Sequence, residues 1–172
     1  ESLHLELQKN FSEVICRPSS LTDQNMQARL RGLILMAIAN EKNLLLLSTA
    51  NRTELALGYS TLYGDSCGAF MLLKDLYKTE VWKLASYLNK EEITIPKEII
   101  EREPTAELYF EQKDTDDLGS YNELDKVLRL YLDEKLSRLE IIEKGYSKEL
   151  VSKIISLLHK SEYKRFQAAP GI

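Results

Sequence analysis

Residues that build metal centres and disulfide frameworks are scarce in this chain of 172 residues, which contains two cysteines and two histidines. Cys16 and Cys67 lie far apart and fit no Cys-x-x-Cys spacing. This pattern argues against a zinc site and against a fold held together by disulfides. Such sparse cysteine usage is typical of a reducing compartment, so we expect a cytoplasmic location.

Long apolar runs and an excess of positive charge are also missing. The longest apolar run, Leu33 to Ala39, is far shorter than the roughly 20 residues of a membrane-spanning helix, and there is no signal peptide. The net charge of −4 gives no general attraction to nucleic acid or to an anionic membrane. Lys160, Lys164 and Arg165 form a small basic patch without interleaved aromatic residues. We therefore expect neither nucleic acid nor membrane as a partner.

The remaining composition is that of a soluble globular domain. Seven glycines and four prolines are too few for a low-complexity or fibrous chain, and 44% hydrophobic with 29% charged residues is ordinary. The length is that of one compact unit. Because the chain begins with Glu1 and its first methionine is Met26, we expect it to be a piece of a longer polypeptide.

Apolar spacing predicts mainly helices. Thr22 and Asp23 are suitable N-cap types, Ser120 with Glu123 forms a potential capping box, and Gly145 fits the position after a helix end. The breaks are predicted at Cys16–Ser20, at Pro104 and in an acidic loop, Glu111–Gly119. The predicted helices are Ser2–Val14, Asn25–Ala39, Lys78–Leu88, a short one starting at Ile95-Pro96, Ser120–Leu132 and one after Ser147.

The stretch Asn43–Ser48 is continuously apolar, which predicts a strand covered on both faces in a parallel sheet. Ligands of open α/β sheets bind beyond the carboxyl ends of such strands, where loops enter helix N-termini. Asn51 to Glu54 follows this strand. The spacing alone favours a capping box that only begins a helix, and a ligand site is the alternative.

Two further residues favour a phosphate site. Asp65 follows Glu54 by eleven positions, and two carboxylates with substrate phosphates are typical magnesium ligands. Lys78 is predicted at a helix start, where the helix dipole disfavours a cation unless a phosphate lies nearby. A turn at Asp65 and a solvated Lys78 remain open alternatives.

These residues carry a family resemblance. Ser48–Tyr59, Thr61–Asp65 and Lys74–Val81 closely resemble the synthetase domain of NAD synthetases. The resemblance covers nearly everything after Leu21. It includes Asn25–Gly32, Pro104–Leu108 and Glu162–Arg165, while Gln112–Asp114 and Gln167–Gly171 resemble the glutamine-dependent branch.

The resemblance implies an α/β fold of the adenine-nucleotide alpha hydrolase-like kind, Rossmann-like with a parallel sheet, represented here by its helix-rich later portion. It implies that ATP adenylates deamido-NAD, and that ammonia, made from glutamine by a glutaminase domain, then displaces AMP to give NAD. A homo-oligomer is expected as well.

Residue roles also follow from the resemblance. Thr49, Lys78 and Thr105 are expected to bind ATP. Asn25, Arg29, Glu54 and Lys164 are expected to bind deamido-NAD, and Glu54 and Asp65 to bind Mg²⁺, with no nucleophilic catalytic residue.

The chain departs from the family pattern in two respects. The Ser-Gly-Gly-x-Asp-Ser phosphate loop is absent, since no two glycines are adjacent, and so is a glutaminase domain. We therefore expect residues 1–172 to be part of the synthetase domain and to be inactive alone. A non-catalytic assembly domain and a sibling ATP-pyrophosphatase amidotransferase remain alternatives.

Overall fold

The computed structural model describes residues 2–14, 19–90, 92–105 and 119–172. These residues form helices around a short two-stranded sheet. The helices are α1 (Ser2–Val14), α2 (Ser20–Lys42), α3 (Arg52–Leu57), α4 (Lys78–Leu88), α5 (Lys97–Glu101), α6 (Tyr121–Leu132), α7 (Arg138–Glu143), α8 (Lys148–Lys160) and α9 (Glu162–Phe166). None of them is both long and apolar enough to cross a membrane.

The sheet consists of β1 (Leu47–Ser48) and β2 (Phe70–Met71), which run parallel with Leu47 opposite Phe70. A parallel sheet was predicted. Its first strand is shorter than the predicted Asn43–Ser48, and the residues of that stretch are more exposed than predicted. Leu44 is 62% and Leu45 is 77% exposed. The prediction of a strand covered on both faces is therefore wrong for the described residues, because β2 pairs with only two positions of the apolar run.

The main core lies between α3, α4, α6, α7 and α8. Amphipathic spacing on α6 and α8 turns their apolar faces toward each other, as the helical periodicity predicts. Its fully buried members include Tyr121, Leu124, Val127, Leu128, Ile141, Val151 and Ile154. A smaller cluster under the sheet joins Leu55 and Met71 to Ala168 and Ala169. The C-terminal segment is held there because the Met71 amide donates to Pro170 O at 2.9 Å.

Helix α2 begins earlier than its capping pattern predicts. The N-cap is Ser19, whose hydroxyl accepts from the Thr22 amide at 3.3 Å. The carboxylate of Asp23 instead accepts from His4 and Gln8 of α1, with 2.7 Å between His4 Nε2 and Asp23 Oδ1. The prediction of Thr22 or Asp23 as the cap is wrong because Asp23 serves the contact between the two helices.

The middle of α2 carries a stretch of exposed apolar side chains that are spread around the helix. They are Leu33, Ile34, Leu35, Met36 and Ile38. Next to this stretch, Gly32 packs against the 61–67 loop. A Cβ at Gly32 would lie 3.0 Å from the carbonyl oxygens of Tyr63 and Gly64, so the close approach depends on this glycine.

Several other predicted helix ends agree with the structure. Helices α1 and α4 have their predicted bounds, and Ser147 caps α8 by accepting from the Leu150 amide at 3.1 Å. Gly145, with φ +97°, follows the end of α7 as predicted.

Helix α6 ends at Leu132 as predicted, but the other predicted ends differ from the structure. Ser120 precedes α6 without a side-chain cap, because the Glu123 amide bonds its backbone carbonyl, so that capping box is wrong. Pro96 is the N-cap of α5 rather than its first helical residue, and α5 ends at Glu101, before Pro104. The acidic loop, apart from Gly119, and the first part of the predicted break at Cys16–Ser20 lie outside the described residues.

Helix α3 ends against α8 and α9. Its C-cap is Gly58, which has φ +70° and lies directly against Ser161. The Ser161 hydroxyl donates to Ala56 O at 2.9 Å, and the Arg165 guanidinium donates to the same carbonyl at 3.2 Å. These donors satisfy the carbonyls that a helix end leaves unpaired.

Tyr77, at the start of α4, is sandwiched between two guanidinium groups. The Cζ of Arg52 lies 4.5 Å and that of Arg129 lies 4.3 Å from the ring centroid. The Tyr77 hydroxyl donates to Asp133 at 3.0 Å, and burial together with this carboxylate raises its pKa. Such cation–π contacts fix α4 against α3 and α6.

Glu80 completes this arrangement by accepting from the Tyr77 amide at 2.8 Å and from Arg129. Burial alone raises the pKa of Glu80, but the bonds from Arg129 and from the Tyr77 amide hold it below its usual value.

Replacing Gly58 by alanine should destabilise the fold more than the same change at Gly145. Both residues have positive φ, which costs an alanine about 1–2 kcal/mol. At Gly58 the new Cβ would also lie 2.4 Å from Ser161 Cβ, whereas nothing lies within 4 Å at Gly145. Overpacking of this kind adds about 1–3 kcal/mol. Urea unfolding measures the difference, and equal losses in Gly58→Ala and Gly145→Ala would contradict the packing against Ser161.

Glu80→Gln should lower stability at neutral pH and not in acid. A depressed pKa in the folded state stabilises the protein above the unfolded pKa, and this stabilisation is lost as the pH falls through the folded value. The free energy of unfolding of Glu80→Gln and of the wild type should therefore converge below about pH 4. The comparison is Glu140→Gln, because the hydrogen bonds of its capping box with Ser137 also lower the pKa of Glu140. Its loss of stability at neutral pH measures what capping contributes without the pairing that Arg129 provides at Glu80. A constant difference from pH 3 to 7 would refute the ion-pair contribution.

Candidate functional site

Glu54 has two roles at the start of α3. The Glu54 amide donates to Asn51 Oδ1 at 3.0 Å, and Glu54 Oε2 accepts from the Asn51 amide at 3.1 Å. The capping box is therefore confirmed. The other carboxylate oxygen, Oε1, lies 3.4 Å from Lys78 Nζ, and both side chains are about four-fifths buried. One carboxylate thus begins a helix and pairs with a cation across to α4.

This ion pair lines a pocket of about 220 Å³ between α3, α4 and the segment after α5. We name it the Glu54–Lys78 pocket. Its lining brings three of the predicted residues together, and these are Glu54, Lys78 and Thr105. Trp82, Arg102 and Glu103 complete much of the wall. The pocket combines cationic, anionic and hydroxyl groups, which is the donor set that a phosphate or a metal–phosphate ligand requires.

Two buried polar residues, to which the sequence analysis gave no role, bond the first two amides of α4. Thr53 Oγ1 accepts from the Lys78 amide at 2.9 Å and donates to Asp125 Oδ1 at 2.5 Å. Asp125 Oδ2 accepts from the Thr79 amide at 2.8 Å. Thr53 is 0% and Asp125 is 1% exposed. The available signal was a carboxylate at position 125 on the apolar face of α6, between Leu124 and Leu128.

The helix start at Lys78 therefore needs no phosphate to explain it. A carboxylate, Asp125, already lies at the N-terminus of α4, where a negative charge is favourable. The Lys78 ammonium faces Glu54 and lies 5.6 Å from the centre of the Tyr121 ring. The role of Lys78 toward ATP remains a prediction, and its support is now the pocket rather than the helix dipole.

A second pocket, of about 520 Å³, lies between α2 and the 61–69 loop. Arg29 lines it and donates from Nε to Leu62 O at 3.2 Å. Asn25, one turn earlier on α2, accepts from the Thr61 hydroxyl at 2.7 Å. We name this the α2-loop pocket. Of the residues predicted to bind deamido-NAD, Arg29 lines this pocket and Asn25 holds its loop.

Lys164 bonds the segment just before this loop, and Asp65 closes the turn at the start of the loop. Lys164 Nζ donates to Gly58 O at 2.7 Å and to Ser60 O at 2.5 Å. Burial lowers the pKa of Lys164, and the charge of Asp65 opposes this shift. Asp65 Oδ1 accepts from the Thr61 amide at 2.6 Å. The ammonium of Lys164 thus caps carbonyls after α3 rather than being solvated.

The predicted metal ligands do not share a network. Glu54 lines the Glu54–Lys78 pocket, whereas the carboxylate of Asp65 closes the turn at Thr61. Within the described ranges, no three His, Cys, Asp or Glu side chains converge as a metal site. Glu54 alone fits Mg²⁺, which often takes one carboxylate and completes its shell with substrate phosphates and water.

Thr49, predicted to bind ATP, is exposed just after β1. It lies at the carboxyl end of the strand, where ligands of parallel sheets bind. It does not line the Glu54–Lys78 pocket. Its role stays a prediction.

Comparison with known proteins identifies the family. The model of the NAD synthase family matches residues 4–168. The chain is 49% identical over 156 residues to a glutamine-dependent NAD(+) synthetase of Acinetobacter baylyi and 45% identical over 162 residues to that of Aquifex aeolicus. These matches cover 90% and 94% of the chain. The chain spans 29% of the length of each relative.

Solved structures agree. NMN synthetase from Francisella tularensis superposes with a TM-score of 0.78 at 28% identity, covering 96% of this chain and 61% of that one. Glutamine-dependent NAD+ synthetase from Acinetobacter baumannii, in complex with ADP, gives a TM-score of 0.57 at 40% identity, covering 98% and 30%. The fold is therefore the Rossmann-like, adenine-nucleotide alpha hydrolase type that the sequence predicted. On the family match and these identities, the chain belongs to the NAD synthase family.

Proposed function

We propose that the whole protein uses ATP to amidate deamido-NAD to NAD, and that this chain supplies part of the synthetase site. The observation that carries the proposal is the Glu54–Lys78 pocket, where three predicted residues meet in a chain 49% identical to a glutamine-dependent NAD(+) synthetase. The Acinetobacter baumannii synthetase, 40% identical to this chain, binds ADP in its solved structure, which supports ATP as the nucleotide.

The reaction divides into two transfers. A carboxylate oxygen of deamido-NAD attacks the α-phosphorus of ATP, and the bond to pyrophosphate breaks. Ammonia then attacks the carboxyl carbon of the adenylate, loses its proton to solvent and expels AMP. Neither transfer needs a protein nucleophile, because the catalytic demand is to neutralise phosphate charge and to orient the carboxylate.

Lys78 and Thr105 suit the phosphates of ATP, and Thr49 lies at the strand end that leads into the site. Lys78 can leave Glu54 for a phosphate, because a carboxylate and a phosphate compete for the same ammonium. Glu54 is then released to a magnesium ion or to the substrate. Mg²⁺, when bound, supplies further neutralisation of the phosphate charge.

Arg29, Asn25 and Lys164 belong to the deamido-NAD side of the proposal. Arg29 faces the α2-loop pocket and suits an anionic group of the dinucleotide. Asn25 and Lys164 hold the loop through its backbone and through Thr61. They support binding by fixing the position of this loop and of the segment before it.

The parts outside this chain are also proposals. We propose that other segments provide the glycine-rich phosphate loop and a glutaminase domain that releases ammonia. We further propose a cytoplasmic homo-oligomer. The exposed apolar side chains in the middle of α2 support burial of this part of the helix in the whole protein.

A sibling amidating enzyme is the second candidate, because the NMN synthetase structure superposes with the higher TM-score of 0.78. The two functions are separated by offering the full-length protein deamido-NAD or nicotinate mononucleotide, with ATP, magnesium and ammonium. Faster NAD formation supports the proposal, and faster NMN formation supports the sibling. No AMP release with either acid would favour a non-catalytic assembly domain.

Glu54→Gln and Lys78→Ala in the full-length protein should impair adenylation more than folding. The glutamine can still cap α3 but loses the charge, and loss of one phosphate contact costs about 2 kcal/mol of transition-state stabilisation. That equals about a 30-fold loss in kcat/KM for AMP release.

The matched controls make the same types of substitution at positions that do not line the Glu54–Lys78 pocket. Glu140→Gln changes another capping-box glutamate, and Lys97→Ala changes another lysine at a helix start. Wild-type turnover in Glu54→Gln and Lys78→Ala at saturating magnesium would return both residues to structural roles.

A further inference from the structure

The Thr53–Asp125 pair is a buried polar unit that none of the predicted roles uses. It links three elements, because Thr53 lies on α3, Asp125 on α6, and both bond backbone amides at the start of α4. Polar side chains this deeply buried are retained only with satisfied partners. Here the partners are the amides of Lys78 and Thr79.

These bonds replace a local helix cap. Tyr77, the N-cap of α4, makes no side-chain cap bond to the helix. Its own amide is taken by Glu80, and the first two helical amides are taken by Thr53 and Asp125. The start of α4 is therefore defined by tertiary contacts, and its position depends on α3 and α6.

Thr53 also fixes the two charged residues of the pocket relative to each other. It directly precedes Glu54 on α3 and bonds the backbone of Lys78 on α4. The hydroxyl of Thr53 therefore links the backbones that carry Glu54 and Lys78, and this link sets the separation of the two residues across the pocket. A change of side-chain rotamer is then enough for Glu54 and Lys78 to leave their ion pair and bind a ligand.

We propose that Thr53 and Asp125 are positioning residues that hold Lys78 at the phosphate side of the ATP site. The same bonds occupy the amides at the start of α4, so the ammonium of Lys78, and not the helix N-terminus, meets the phosphates. This inference rests on the proposed function, since it assigns these residues to the ATP step.

The test compares Thr53→Val with Thr53→Ser in the full-length protein. Valine keeps the volume of threonine and removes both bonds of its hydroxyl, whereas serine keeps the hydroxyl. Thr53→Val should raise KM for ATP about tenfold, because small displacements of a positioned group are costly. KM for deamido-NAD should stay within about twofold, and Thr53→Ser should restore near wild-type values for both substrates.

Ser147→Ala is the matched control, because it removes a helix cap on α8 that has no contact with α4. It should lower the melting temperature and leave both KM values unchanged. If Thr53→Val does not fold, Asp125→Asn takes its place, since an amide offers one acceptor oxygen where the carboxylate offers two. That variant should raise KM for ATP at least threefold, with the same selectivity.

Failure of the positioning role can be distinguished from failure of the proposed function. Equal KM values for ATP in the wild type and in folded Thr53→Val or Asp125→Asn would overturn the positioning role while leaving NAD formation intact. An equal rise in KM for both substrates would also overturn it, because that indicates a general loss of structure. A wild-type protein that forms no NAD would refute the proposed function, and the inference with it.

Discussion

The buried hydrogen bonds between Thr53, Asp125 and the start of α4 are the constraint on which the described structure depends. They join α3, the helix that follows β1, to α4 and α6. An unpaired carboxylate at this depth would be costly, so the three elements are held in one arrangement. The sandwich of Tyr77 between Arg52 and Arg129 adds a second connection at the same helix end.

The candidate site follows from this constraint. Glu54 and Lys78 are neighbours of the residues that make the buried bonds, so their pairing across the pocket is a consequence of backbone placement. A capping role and a ligand-binding role of Glu54 are therefore compatible. One oxygen caps α3, while the other faces the pocket and is available to exchange its cation.

Local patterns predicted the parts whose causes are local. The capping box at Asn51 and Glu54 and the cap at Ser147 depend on residues within one helical turn. The apolar spacing of α4 predicted its bounds, although its first amides are bonded by residues of α3 and α6. The covered strand at Asn43–Ser48 failed because coverage depends on elements distant in sequence, and the described residues provide little of it. The motifs brought Glu54, Lys78 and Thr105 to one pocket, but a carboxylate within the periodicity of α6 gave no local indication of its partners on α3 and α4.

The central claim is that the Glu54–Lys78 pocket receives the phosphates of ATP. The most direct test is a crystal structure of the full-length protein with magnesium and a non-hydrolysable ATP analogue. The account predicts Lys78 Nζ at about 3 Å from a phosphate oxygen and no longer paired with Glu54, while the bonds from Thr53 and Asp125 to α4 persist. Phosphates bound elsewhere, with Lys78 Nζ still 3.4 Å from Glu54 Oε1, would contradict it.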